Sequence, residues 1–170
     1  MSTQEQLQRR PAWKPDRRGF SAVELVFVML IAGTLMGLAM PAFRSYRNQR
    51  EVMNARHAYQ MVAARARAAA VERGDVVILM TRIYRDSVFV MSGDMSDTLE
   101  VVDFRTGETR VDILLDSTPA PFLICYMPRG FAHPSCKDGE YLPAKIGFTT
   151  WAGADTAWAV INAVGQVESL

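Results

Sequence analysis

The sequence predicts an α+β fold in which one long N-terminal helix, first transmembrane and then amphipathic, packs on an antiparallel β-sheet body. Two observations predict it. From residue 20 to residue 73 the apolar residues form a long run and then recur at helical spacing, whereas after Gly74 the chain turns into short β-rich runs. With 170 residues, 49% hydrophobic and 22% charged, the chain is too apolar to be disordered, and its length suits one domain with an appendage.

Charge is distributed in four blocks. Residues 1–19 carry five basic and two acidic groups, a net charge of +3, and residues 20–43 carry one charge, that of Glu24. Residues 44–73 carry seven arginines and two glutamates, a net charge of +5, whereas residues 74–170 have a net charge of −6. Because phosphate binding needs clustered lysine and arginine, the acidic body argues against a nucleic-acid surface.

The first element is an apolar helix. Residues 25–40 contain no charged side chain, and with residues 20–23 they form a run of about 20 residues that Glu24 alone interrupts, long enough to cross a ~30 Å hydrocarbon core. The basic residues that precede it place the N-terminus in the cytoplasm by the positive-inside rule, and the rest of the chain across the membrane.

Two simpler interpretations of this segment compete. A cleaved secretory signal needs small residues at the cut, and Ala39–Ala42 has a proline in the way. A plain anchor leaves Glu24 unexplained, because a carboxylate in the membrane costs roughly 2.5–3.5 kcal/mol. Gly33 and Gly37 allow helices to approach closely, and Pro41 removes a backbone hydrogen bond and so kinks or loosens the helix. These features favour packing against other helices.

The second element is an amphipathic helix over residues 44–73, ended by Gly74-Asp75. One apolar, mostly alanine stripe recurs at spacings of three and four: Val52, Ala55, Tyr59, Val62, Ala66 and Ala69. We expect this stripe to cover one face of the sheet. The arginines that fall off the stripe are expected on a solvated face without a binding role, with anionic lipid headgroups or acidic neighbours as the alternative: Arg56, Arg65, Arg67 and Arg73.

The body is predicted to be antiparallel sheet, because its strands are separated by short turns. Leu99–Phe104 and Thr109–Leu114 flank a turn that contains Gly107, which predicts a hairpin. A last hairpin is predicted around Gly165. The other expected strands are Val76–Met80, Val88–Met91, Phe122–Tyr126, Ile146–Thr150 and Trp158–Ile161.

The stretch Arg17–Leu25, RRGFSAVEL, resembles the class III signal of type IV pilins and type II secretion pseudopilins. The resemblance implies that a prepilin peptidase cuts between Gly19 and Phe20 and methylates Phe20. Glu24 is then the fifth residue of the mature chain, and Pro41 lies where such chains have a helix-loosening proline. Ser21-Ala22 stands where Thr-Leu is usual.

Elementary electrostatics agrees with this resemblance. A cut after Gly19 creates a positively charged amine at Phe20. We expect Glu24 of one subunit to neutralise that amine on a neighbour, because a buried charge is tolerated when it is paired and costly when it is alone. The acid would then favour the assembled register over wrong ones.

The body resembles the GspH/FimT group of minor pilins in three stretches: Met127–Phe131, Lys145–Phe148 and Ala159–Val167. Some DNA-uptake members of this group carry arginines around the last glycine turn. Here that turn carries Gln166 and Glu168, which argues against DNA capture.

The resemblance implies a pilin fold with four parts. They are a leader peptide at 1–19, a transmembrane and filament-core helix at 20–43, an amphipathic helix at 44–74 and a periplasmic globular domain at 75–170. The expected function is a minor pilin or pseudopilin, built into a type IV pilus or type II secretion pseudopilus near its tip. The expected partners are prepilin peptidase, other pilin or pseudopilin subunits, the inner-membrane assembly platform and inner-membrane lipid. The alternative is a periplasmic binding module anchored in the bacterial inner membrane, such as a DNA-uptake minor pilin.

The polar residues of the body predict no enzyme, cofactor or metal. No phosphate-binding loop, metalloprotease motif or nucleophile elbow occurs in the sequence, and His57 and His133 fall on different elements. Asp94 and Asp97 lie in what we interpret as an acidic turn, because their spacing fits no calcium loop. Cys125 and Cys136 are predicted to form a disulfide in an oxidising periplasm, worth about 3 kcal/mol for such a loop.

Overall fold

The structure is a computed structural model of the chain. It describes residues 21–170 apart from 106–110, 117–120, 134, 137–139, 151–152 and 154. The side chains of residues 135, 136, 140 and 141 also lie outside the description. The chain divides into two units, and the second begins at Ala42. After Ser21, the described part of the first unit is helical throughout.

Helix α1 runs from Ala22 to Arg73, with Pro41 inside it. Its first turn closes where the N–H of Leu25 donates to the carbonyl of Ser21, at 3.2 Å. It ends as the sequence predicts, because Gly74 has a φ of +66°, a left-handed conformation in which helices commonly terminate. The two helical segments predicted on either side of Pro41 therefore form one helix in the described chain.

Ten strands follow α1 in the described residues, and they form antiparallel sheets. Four strands form a first sheet in the order β3-β2-β1-β5, four form a second in the order β10-β9-β8-β4, and β6 and β7 form a two-stranded ribbon. The predicted α+β class is therefore confirmed. The strands are β1 (Val77–Arg82), β2 (Ser87–Ser92), β3 (Thr98–Asp103), β4 (Val111–Leu115), β5 (Phe122–Tyr126), β6 (Ser135–Cys136), β7 (Glu140–Tyr141), β8 (Ala144–Thr150), β9 (Thr156–Ile161) and β10 (Val167–Ser169).

One predicted hairpin is wrong. The two runs expected to pair around Gly107 are strands, β3 and β4, but they belong to different sheets. β3 pairs with β2 and β4 pairs with β8, each in antiparallel register. The pairing of β4 with β8 buries Val111 and Ile113 of β4 in the core, which favours it over a hairpin with β3. The turn itself lies in residues outside the description.

The apolar stripe of α1 packs on the strands of both four-stranded sheets. Tyr59 is fully buried, its hydroxyl lies 3.1 Å from the hydroxyl of Thr81 in β1, and its ring centroid lies 5.6 Å from that of Phe148 in β8. Ala69 of the predicted stripe is half-buried, and Ala70 is buried instead. The buried residues of α1 are Val52, Ala55, Tyr59, Val62, Ala63, Ala66 and Ala70.

Asp86 links the two sheets, a role that the sequence did not suggest. It is 1% exposed in the turn between β1 and β2, with a left-handed φ of +46°. Its carboxylate accepts from the Nε–H of Arg105 at 2.6 Å and from the backbone N–H of Ile113 in β4 at 2.9 Å. An acid between two hydrophobic strands resembles any turn acid in sequence, so only the fold reveals these bonds.

Candidate functional site

The N-terminal part of α1 exposes its apolar side chains along its whole length. Residues 21–47 are all exposed, and Leu38, for example, is 77% exposed. Among the residues that the structure describes, α1 is the one helix long and apolar enough to cross a membrane, with a mean hydropathy of 2.2 over a window of which none is buried. Soluble monomers rarely expose an apolar patch of this size, so the surface calls for lipid or for other chains as cover.

Glu24 lies in the first turn of this apolar surface. It is the one acidic residue of that turn, and it is exposed among exposed apolar neighbours such as Val23 and Leu25. A carboxylate in the first turn of a helix is favourably placed with respect to the helix dipole. The same carboxylate is therefore available to a positive group brought by another molecule.

Small residues and a proline divide the exposed segment. A Cβ atom built on Gly33 or Gly37 would meet nothing within 4 Å among the described residues, so neither glycine is needed for packing against them. Both glycines therefore leave room for another helix. Thr34 donates its hydroxyl proton to the carbonyl of Ile31 at 2.8 Å. Pro41 has no N–H to donate to the carbonyl of Gly37, and the helix continues through it.

Three of the predicted site residues lie outside the description, in whole or in part. Gly19 and Phe20, the residues of the expected cleavage, are not among the described residues. Cys125 is buried in β5 and is disulfide-bonded, whereas the side chain of Cys136 lies outside the description. The pairing of the two cysteines therefore stays a prediction.

A basic-aromatic collar follows the apolar segment in sequence. We define the collar as Phe43, Arg44, Tyr46, Arg47 and Arg50, all of which are exposed. The guanidinium of Arg50 lies 4.9 Å from the ring centroid of Tyr46 and donates to its hydroxyl. Arg47 forms an ion pair with Glu51, with 3.6 Å between Nε and Oε1. Phe43, Arg44 and Arg47 line a recess of about 400 Å³ together with Asn48.

The later arginines of α1 are less uniform than the predicted solvated face. Arg65 is exposed and pairs with Glu100 of β3, and Arg73 is exposed in the last turn. Arg56 and Arg67 are half-buried, and the Nε atom of Arg56 is buried without a hydrogen-bond partner in the described chain. The prediction of an entirely solvated face is therefore wrong for these two side chains.

A groove of about 790 Å³ separates α1 from the last turn and β10. Its helical side includes three alanines and Arg67, and its other side is Gly165–Glu168. The amide of Gln60 donates to the carbonyl of Val167 at 3.4 Å across one end. Gly165 has a φ of +79°, and its carbonyl accepts from the hydroxyl of Tyr126 at 2.8 Å. Burial raises the pKa of Tyr126 to about 12, against the opposing effect of the positive charge on Arg67.

The acidic turn between β2 and β3 is satisfied by its own hydrogen bonds. Asp94 accepts from the hydroxyls of Ser92 and Ser96, at 2.5 and 2.7 Å, and from the N–H of Ser96 at 3.0 Å. These bonds lower the pKa of the Asp94 carboxyl well below its usual value. Within the described part of the chain, no group of three or more His, Cys, Asp or Glu side chains is placed to hold a metal ion.

Comparison with known proteins finds one structural similarity. No protein-family model matches the chain, and no curated protein matches it. A crystal structure of the type IV minor pilin FimU from Pseudomonas aeruginosa strain PAO1 is similar, with a TM-score of 0.47 and 14% sequence identity. The match covers 69% of this chain and 91% of that chain.

Proposed function

We propose that this chain is a minor pilin or pseudopilin, a structural subunit that a prepilin peptidase cuts between Gly19 and Phe20 and that then enters a filament through α1. One observation carries the proposal. The apolar surface of residues 21–43 is exposed throughout, and it contains one carboxylate, Glu24, five residues beyond the Gly19 of a class III-like junction. An anchor needs the apolar surface but has no use for the acid.

The order of events follows from the charges. Before cleavage, the basic residues of 1–19 hold the N-terminus in the cytoplasm, and the apolar segment lies in the inner membrane. Cleavage removes that head and leaves a methylated, positively charged Phe20. Glu24 of a neighbouring subunit then pairs with this amine inside the filament core, where an unpaired charge of either sign would be costly.

The body would supply shape and contacts to this filament rather than catalysis. Its two sheets enclose one apolar core with the second half of α1, and the expected neighbours are other pilin or pseudopilin subunits and the assembly platform of the inner membrane. For the alternative of a DNA receptor, the last turn offers Gln166 and Glu168, and Glu168 accepts from the side-chain amide of Asn162 at 2.8 Å. A carboxylate at that place repels phosphate, so this turn does not favour DNA capture.

The N-terminus of the mature chain tests the proposal. The full chain is expressed with and without an active prepilin peptidase, and its N-terminal peptide is identified by mass spectrometry. We expect a peptide that begins with methylated Phe20 only when the peptidase is active. Gly19→Val should abolish the cut, because the peptidase needs an unhindered backbone at the junction.

Gly33→Ala is the matched glycine control. A Cβ at Gly33 meets nothing within 4 Å, so this variant should be cut like the wild type. A chain that keeps Met1 would be a plain anchor, and a chain that begins beyond Pro41 would be an ordinary secreted protein. Either result would overturn the proposal.

A further inference from the structure

We propose that the basic-aromatic collar is a binding site for the phosphate groups of anionic phospholipids, such as phosphatidylglycerol, at the membrane surface where α1 leaves the bilayer. The inference rests on the proposed membrane insertion of α1 and goes beyond it, because it assigns a lipid class and the residues that recognise it. The site would act while the subunit waits in the membrane, before it enters a filament.

The collar lies at the point where α1 is expected to leave the hydrocarbon of the membrane. From Ala22 to Phe43 the helix is roughly 32 Å long, which matches the hydrocarbon thickness of a bilayer. Phe43 and Tyr46, 67% and 53% exposed, come directly after this length. Tyrosine is enriched at the interface between hydrocarbon and headgroups, so the arginines near Tyr46 lie at the depth of the lipid phosphates.

The arginines of the collar are arranged so that they can bind a phosphate group. Arg44 and Arg47 line the same recess of about 400 Å³, with the ring of Phe43 and the amide of Asn48. This lining offers two cations and an amide donor to a phosphate, and an aromatic surface to the adjoining glycerol and acyl chain. Arg50 is held over the ring of Tyr46 at 4.9 Å, where its remaining N–H groups can reach a neighbouring headgroup.

The net charge of the whole chain does not explain an attraction to anionic lipid. The net charge of +1 is small, and residues 74–170, at −6, repel an anionic surface. Attraction to anionic lipid must therefore be local, since exposed charges beyond about 8 Å are screened at physiological ionic strength. Glu51, bonded to Arg47, offsets one of the three arginines and leaves the collar positive.

The test measures lipid selectivity at the surface of the full chain. The chain is reconstituted in phosphatidylcholine vesicles, and electron spin resonance compares how much spin-labelled phosphatidylglycerol and spin-labelled phosphatidylcholine the protein immobilises. We expect the triple variant Arg44→Gln, Arg47→Gln, Arg50→Gln to lower the preference for phosphatidylglycerol by at least about fivefold, the factor that an attraction of about 1 kcal/mol gives for a single basic residue.

A second triple variant is the matched control. Arg73→Gln, Arg85→Gln and Arg129→Gln remove the same charge from exposed positions elsewhere and should leave the preference unchanged. The basic head of residues 1–19 also attracts anionic lipid, so the difference between the two triple variants is the measurement. Arg→Lys at the three collar positions should keep most of the preference.

Each other result contradicts the inference. Equal preference in the wild type and the collar variant overturns the collar while leaving the membrane helix intact. Equal losses in both triple variants show general charge attraction without a site. A collar variant that keeps its lipid preference but no longer enters filaments would assign these arginines to an acidic neighbouring subunit. Absence of any immobilised lipid overturns membrane insertion itself, and the collar with it.

Discussion

Residues 22–41 and residues 52–70 of α1 share one helical backbone but differ in both side-chain size and burial. The first stretch is rich in leucine, valine and methionine, all exposed, whereas the buried positions of the second are mostly alanine. A soluble domain places its large apolar residues inside. Here the small residues face the sheets because alanine lets strands approach the helix, whereas no described residue covers the large ones. The difference divides one helix into a half that packs within the chain and a half whose apolar surface is open to other molecules.

Replacing Glu24 with alanine should have the largest effect, and it should act on assembly alone. The amine of a neighbouring Phe20 would be left unpaired, which costs about 3–5 kcal/mol for a buried charge. We expect incorporation into filaments to fall about a hundredfold or more, measured by quantitative mass spectrometry of sheared filaments against membranes.

Glu72→Ala is the matched control for this prediction. Glu72 is an exposed acid in the second half of the same helix, so its removal should leave incorporation unchanged. Both variants should keep the wild-type free energy of unfolding. Undiminished incorporation of the Glu24 variant would contradict the pairing.

Tyr59→Ala and Leu30→Ala form a pair that tests the same contrast from the side of stability. Tyr59 is fully buried between the two sheets, so its truncation should lower the free energy of unfolding by about 3–5 kcal/mol through the cavity that it leaves. Leu30 is 62% exposed, and its truncation should leave that free energy unchanged.

Denaturant unfolding of the full chain in detergent micelles, followed by near-ultraviolet circular dichroism, measures both variants. If Leu30→Ala destabilised the fold as much as Tyr59→Ala, the two halves of α1 would not be separate in function. A small effect at Tyr59 would mean that the sheets are held together chiefly by their other contacts.

The sequence predicts the helix, the stripe and most strands because these follow from periodicity, which is local. Val52, Tyr59 and Ala66 recur at helical spacing and are buried as that spacing predicts. The pairing of strands is not local. β3 and β4 follow each other around a glycine-containing turn, as hairpin strands do, yet burial of Val111 and Ile113 places β4 beside β8.

The candidate site likewise contains some residues that can be recognised in the sequence and others that cannot. Glu24 and Pro41 are recognisable in sequence because each is unusual inside an apolar run. The collar is less apparent, because in the sequence the arginines at 44, 47 and 50 belong to a longer basic stretch. Only the structure shows that two of them line a recess with Phe43. Asp86 could not be recognised, because the pairing of β2 with β3 brings Arg105 to it and the packing of the two sheets brings Ile113.

Asp86→Ala should have an intermediate effect, confined to the body. It removes the acceptor for the buried N–H of Ile113 and the partner of Arg105, and should lower the free energy of unfolding by about 2–3 kcal/mol. Asp86→Asn tolerates the left-handed backbone and keeps one acceptor for Ile113, so it should cost about 1 kcal/mol. Denaturant titration of both variants measures the difference, and equal losses would show that the ion pair with Arg105 inside the first sheet, rather than the bond to Ile113 across the two sheets, contributes the stability.

Removing the hydroxyl of Tyr126 should have the smallest effect at neutral pH, and this effect too should be confined to the body. Burial raises the pKa of Tyr126 from 10.0 to about 12, so the folded chain keeps a proton that the unfolded chain loses. The contribution of Tyr126 to stability is therefore complete below pH 10 and is lost as the pH rises through 12.

Tyr126→Phe should lower the free energy of unfolding by about 1 kcal/mol at neutral pH, because the bond to Gly165 is lost, and the variant's stability should decline less steeply in this alkaline range. Tyr84→Phe, at a position that is 85% exposed, should reproduce the wild-type decline. A Tyr126 variant with an unaltered slope would assign the alkaline loss to Tyr59, whose pKa burial also raises.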